Sequence, residues 1–186
     1  MLSLQNRILA TALLIISILS VDTASAQKYQ GEKGSAKFIS EAALNSFEGV
    51  SSDLNGLVDL KSNFIDFYLD LNTLETGISL RDKHMRKNYL ETDKYPFAEF
   101  TGKFQTLKTP SNTWQEVLVV GEFKVHGVTK QLSIKGRMKQ EGQDLIIEAA
   151  WKLKLSDYNI EIPSVVFYEL NDEQKIELKM TLKPAK

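Results

Sequence analysis

Apolar and polar side chains alternate one by one along much of this chain. Ile65, Phe67, Leu69 and Leu71 alternate with Asp66, Tyr68 and Asp70. The same two-residue period returns in Val117–Val125, Leu132–Met138, Leu145–Leu155 and Ile176–Leu182. Successive strand side chains point to opposite faces, so each segment predicts a strand with one apolar and one solvated face. Weaker strands are predicted at Ala36–Ser40, Glu48–Leu60 and Phe97–Leu107. Gly127, Glu141-Gly142-Gln143 and Asn171-Asp172-Glu173 supply turns, and Glu141–Gln143 between two strong strands predicts a tight hairpin. About eight strands with short connections make an all-β meander that closes into a barrel or folds as a sandwich.

One segment breaks the alternation. Thr76–Leu90 is rich in charge and helix formers, and Ile78, Met85 and Tyr89 are spaced to share a helical face. The pattern predicts one short helix, about 78–90, stopped before Tyr95-Pro96.

The amino terminus changes the compartment. Arg7 precedes an apolar run from Ile8 to Leu19, and Ala24-Ser25-Ala26 ends in small residues. That layout predicts a secretory signal peptide over 1–26, cleaved near Ala26. The run is short of the roughly 20 residues a membrane anchor needs. The expected domain organisation is therefore a leader followed by a single domain, 27–186, with no stable membrane span in the mature form. Cysteine is absent, so the core and not disulfides must hold the domain, and thiol catalysis and thiolate metal sites are excluded. The net charge of −1, with Lys and Glu interspersed, gives no pull toward nucleic acid.

An eight-stranded barrel is filled by its own side chains or holds one small ligand. Gly121, Gly136 and Ala149 stand on otherwise apolar strand faces, where large residues would fill volume. Together with Ile65, Phe67, Leu69, Val119, Phe123, Ile134, Ile147, Trp151, Leu178 and Met180 they are the candidate lumen residues. Such a lumen offers few hydrogen-bond partners, so its guest is expected to be a hydrocarbon chain. Tyr158–Tyr168 is apolar where a solvated loop would be polar. It reads equally as a lining or lid at the barrel mouth, with Tyr158 and Phe167 as contacts, or as an edge strand on the core.

Catalytic chemistry finds little footing. The two histidines, His84 and His126, lack an adjacent nucleophile in a strained elbow, and no H-x-H or H-E-x-x-H spacing prepares a metal site. No glycine-rich phosphate loop or dinucleotide fingerprint occurs, and no cofactor is expected. His126, at a strand end before Gly127, reads as a turn histidine bonded to neighbouring backbone.

Several blocks occur together in one order. They are Phe47-x-Gly49, Gly56, Leu74-x-Thr76-Gly77, Arg81-Asp82-x-His84-Met85-Arg86 and Tyr95-Pro96-x-x-x-Phe100. Gly121-x-Phe123-x-Val125-His126-Gly127-Val128-Thr129-Lys130 and Ser156-Asp157-Tyr158-x-Ile160-x-x-Pro163 follow. In these the chain resembles the YceI-like family over about Lys37 to Leu182, with Met85 where a leucine is common. The resemblance implies an eight-stranded antiparallel lipocalin-like β-barrel in the bacterial periplasm or secreted. It implies a long-chain isoprenoid or other lipid threaded through the lumen, for storage or transport, and the lack of catalytic motifs leads us to expect no enzymatic activity. Arg81, Asp82 and His84 would either pin the helix to the barrel or meet a lipid headgroup at its mouth. The alternative is a stress-associated structural or interaction protein with a filled barrel. Oligomeric state stays open, a homodimer included.

Overall fold

A computed structural model describes residues 28–42, 46–105, 109–161 and 170–185. Its strands are β1 (Lys28–Glu41), β2 (Ser46–Asp59), β3 (Phe64–Asp70), β4 (Phe97–Phe104), β5 (Gln115–Val125), β6 (Val128–Glu141), β7 (Asp144–Lys154) and β8 (Glu173–Pro184). Each is antiparallel to the next, and β8 pairs back onto β1 from Ser40↔Gln174 to Tyr29↔Pro184. The expected eight-stranded antiparallel barrel is therefore closed, and the sandwich is not formed. The signal peptide expected over 1–26, Leu107, Phe167 and most of Tyr158–Tyr168 lie outside the described residues.

The hairpin after β5 shows how local sequence sets register. Val125 pairs with Val128 across a two-residue turn, with φ of 51° at His126 and 75° at Gly127. Positive φ at both positions matches the natural twist of the paired strands. A Cβ on Gly127 would also stand 2.6 Å from the Tyr95 ring, so only glycine fits.

Two ladders end early, and buried chain packs where they end. The β2–β3 ladder covers only Asn55↔Tyr68 to Asp59↔Phe64, which leaves the first half of β2 beyond it. There the 3-10 turn Leu71–Thr73 leads into a two-bond bridge between Val50 and Glu75, at 2.9 and 3.0 Å. Helix α1 (Ser79–His84) follows and runs on as a π-helical turn over Met85–Tyr89. Leu71, Leu74 and Met85 are buried beneath this strap. The helix begins at Ser79, within a residue of the expected start, and Thr76 anchors it through its N–H and hydroxyl to Asp82. On the other side the β6–β7 ladder stops at Gly136↔Ala149. The 3-10 turn Leu155–Tyr158 follows β7, and Leu155, Tyr158 and Ile160 are buried.

The core is unequal along the barrel axis. At the base, Tyr29, Val58, Phe104, Met138, Leu145, Met180 and Leu182 are sealed from solvent. Toward the mouth, Phe38, Trp151, Ile176 and Leu178 are only partly buried, although they face inward on their strands.

Candidate functional site

Those half-buried side chains border a cavity of about 600 Å3. That is the size of an ordinary small-molecule site. It opens at the end of the barrel where α1 lies, and the packed base closes the other end. The lumen is thus a dead-end sleeve and not a through-pore.

The lining is mostly apolar, with charged groups at its edge and Gln174 the buried polar side chain on it. Phe38, Leu54, Phe67, Phe100, Phe123 and Ile176 are among its walls. Arg81, His84 and Asn88 approach from the helix, while Lys37 and Glu99 border it from the outer wall, paired with Glu48, Glu177 and Lys124. Gln174 is held by donating to Ser40 Oγ at 3.2 Å and to the Asn171 carbonyl. A polar guest placed deep inside would lose water and find few replacements.

Of the residues singled out from sequence, Phe67, Leu69, Phe123, Trp151 and Leu178 line this cavity. Ile65, Val119, Ile134, Ile147 and Met180 do not; they are buried in the core outside it. Alternation reports which face a residue takes and carries no information about depth along the axis. Gly121, Gly136 and Ala149 correct the volume argument outright. A Cβ on Gly121 would collide with the Thr101 carbonyl oxygen, and one on Gly136 would stand 2.9 Å from Glu148 O and 3.3 Å from Ala149 Cβ. Gly121 and Gly136 let neighbouring strands approach closely, and neither they nor Ala149 border the lumen cavity.

The Arg81, Asp82 and His84 cluster divides its work. Asp82, 7% exposed, accepts from Thr76 N at 2.7 Å and Thr76 Oγ1 at 2.5 Å. Arg81 donates to Thr76 Oγ1 at 2.8 Å and Thr76 O at 2.9 Å, and its guanidinium lies 4.5 Å from the Phe47 ring centre. Arg86 donates to the Asn72 and Leu74 carbonyls at 3.0 and 3.1 Å. These contacts fasten the helix to the strap. His84 remains exposed on the cavity rim.

Tyr158 is buried against Phe123, with ring centres 5.7 Å apart, and does not border the cavity. Burial holds its phenol above the usual tyrosine range, and the Asp157 carboxylate adds to this. Its hydroxyl, Trp151 Nε1 and Gln174 Oε1 are enclosed without a hydrogen-bond partner among the described residues.

Sequence reasoning missed much of the lining. Phe38, Phe47 and Leu54 belong to strands with weak alternation, and Leu71, Leu74 and Met85 to the strap. Leu71 closes the first alternating segment, Met85 shares a helical face with Ile78 and Tyr89, and Phe47 and Leu74 occur in the family blocks, but none of these signals says which residues border a cavity.

Comparison with known proteins agrees with the fold. The model of the YceI-like domain matches residues 19–182. Protein YceI of Escherichia coli O157:H7 is 29% identical over 103 residues, covering 52% of this chain and 51% of that protein. A UPF0312 protein of Shewanella denitrificans is 31% identical over 102 residues, covering 54% and 50%. The match thus spans about half the length of these curated relatives. A polyisoprenoid binding domain from Saccharophagus degradans superposes with a TM-score of 0.75 at 16% identity, over 86% of this chain and 99% of that one. Burkholderia cenocepacia BcnA superposes with a TM-score of 0.64 at 14% identity, over 81% and 96%.

Proposed function

The chain belongs to the YceI-like domain family, and on that premise we propose that it binds a long-chain apolar lipid of the polyisoprenoid kind in the barrel lumen, for storage or transport and without catalysis. The observation that carries this reading is the sleeve itself. It is walled mostly by hydrocarbon, sealed at its base, and charged only where it opens. A lipid tail entering first gains about 25 cal/mol per Å2 of apolar surface removed from water. Its headgroup is left beside Arg81, His84 and Asn88. The Saccharophagus degradans domain of the same fold is described as polyisoprenoid binding, which supports the choice of lipid class. A stress-protective protein with a filled barrel would have no use for such a cavity, which counts against that alternative.

The site of action we propose is the periplasm or the extracellular space, on the strength of Arg7, the run Ile8–Leu19 and the small residues before Gln27. Amino-terminal sequencing of protein from a periplasmic fraction should begin near Gln27.

Native mass spectrometry of protein from the source cells should find a co-purified long-chain lipid. After delipidation, a Trp114→Phe protein reports through Trp151 alone and should show saturable uptake of geranylgeraniol from ethanol. Empty protein, together with no saturable uptake of geranylgeraniol or palmitate, would overturn the reading.

A further inference from the structure

The exposed apolar side chains of this molecule are not scattered. Among the described residues the large ones are Tyr68, Ile78, Leu80, Phe97 and Trp114. Trp114 lies under Arg137 and Lys139, whose charged groups stand 4.5 and 5.2 Å from its ring. The other four gather at the mouth: Tyr68, Ile78 and Leu80 border the cavity, and Phe97 meets the Tyr68 ring at 6.1 Å. Leu80 is 63% exposed and Ile78 53%, although burying apolar residues drives folding everywhere else.

The charge beside them has one dominant sign. Ser79–Tyr89 holds Arg81, Lys83, Arg86 and Lys87 against the single acid Asp82. Arg81, Asp82 and Arg86 are engaged with the strap, as described above. Leu80, Lys83, His84 and Lys87 are left on the exposed side of the helix. Lys83 and Lys87 form no ion pair among the described residues; of the acids in the flanking chain, Glu91 is bonded to His126 and Glu99 to Lys124, while Glu75 and Asp93 are exposed. A short helix with leucine and isoleucine at its start and free lysines along its outer side matches how amphipathic helices lie on lipid headgroups.

We propose that this helical lip is a docking surface for an anionic phospholipid bilayer, from which the lipid passes directly into the sleeve. The inference rests on the lipid-binding reading, since its purpose is loading or unloading the cavity. What singles out a bilayer as the occupant is continuity. The apolar lining runs unbroken from the cavity wall through Ile78 and Leu80 to the outside. A chain leaving a membrane there would not cross water, and the lysines supply attraction to negative headgroups.

The test is vesicle co-sedimentation of the full mature protein, with phosphatidylcholine vesicles and with vesicles enriched in phosphatidylglycerol. Binding is expected to the anionic vesicles and to fade at high salt. Replacing Lys83→Gln and Lys87→Gln together should weaken partitioning about 25-fold, or about fivefold per lysine. Leu80→Ser should weaken it at every salt concentration, and Lys61→Gln or Lys183→Gln, at the base, should leave it unchanged. Equal binding to neutral vesicles, or indifference to Lys83 and Lys87, overturns the proposal. Trp151 fluorescence with geranylgeraniol delivered from ethanol separates the two readings. Intact uptake without vesicle binding overturns docking alone and leaves the lip to a carrier protein. Loss of uptake as well removes the lipid-binding reading with it.

Discussion

His126 Nε2 lies 2.9 Å from the Glu91 carboxylate, which joins the turn between β5 and β6 to the chain that follows the helix. The other ring nitrogen, Nδ1, sits 3.0 Å from the Tyr158 carbonyl, and the ring packs at 4.8 Å on Tyr95. Both oxygens are acceptors, so the ring binds them by donating. One side chain thereby ties together three segments distant in sequence. His126→Asn tolerates the positive φ of this position but cannot make both contacts, and should cost about 1–3 kcal/mol of stability. Glu91→Gln, at an exposed carboxylate, should cost under about 1 kcal/mol. Chemical denaturation of both variants checks the ranking, and a larger loss in Glu91→Gln would refute it.

Gly121→Ala is expected to destabilise the barrel by about 2 kcal/mol or more, because its Cβ has no room beside the Thr101 carbonyl. At Gly142 nothing lies within 4 Å, so alanine there meets only the cost of φ at +63°, about 1–2 kcal/mol. Thermal melts should rank Gly121→Ala below Gly142→Ala. The reverse order would mean that strand approach at Gly102↔Gly121 is not tight.

Leu145→Ala at the packed base should lose about 3–4 kcal/mol, since the void it leaves is enclosed on all sides. Leu178→Ala borders the cavity and already lacks neighbours on one side, so its loss should be smaller, about 1–2 kcal/mol. Urea midpoints compare the two. Equal losses would argue that the mouth half is as tightly packed as the base.

Tyr158→Phe should leave the melting temperature at neutral pH unchanged or raised, because the hydroxyl removed has no partner among the described residues. The alkaline side differs. A phenol held above its usual range stabilises the fold below about pH 10, and this contribution is lost as pH rises through the folded value. Stability should therefore fall more steeply above about pH 10 in the parent than in Tyr158→Phe. Identical alkaline slopes in thermal melts would disprove the burial argument.

Asp82→Ala leaves the part-buried Thr76 N–H and hydroxyl without their acceptor, at about 1–3 kcal/mol. The strap should loosen before the barrel does. Hydrogen exchange is expected to accelerate over Ser79–Tyr89 while β5–β8 stay protected, and uniform acceleration would count against a local role.

The alternation of Ile65 to Leu71, Val117 to Val125 and Leu145 to Leu155 was enough to read strands, faces and an antiparallel meander. A side chain's direction on a strand depends only on its neighbours along the chain. His126-Gly127 likewise marks its own turn, because positive φ is a local demand. Barrel closure is different, since it needs β8 to meet β1 across the whole chain. So is the split between a filled base and a hollow mouth. Ile147 and Trp151 share a strand and a face, yet one is sealed in the core and the other borders the cavity. Nor could sequence show that Gly121 serves close strand approach and not empty volume. Depth along the axis, strand coiling and the burial of the strap arise from contacts between residues far apart in the chain. Only the tertiary structure decides them.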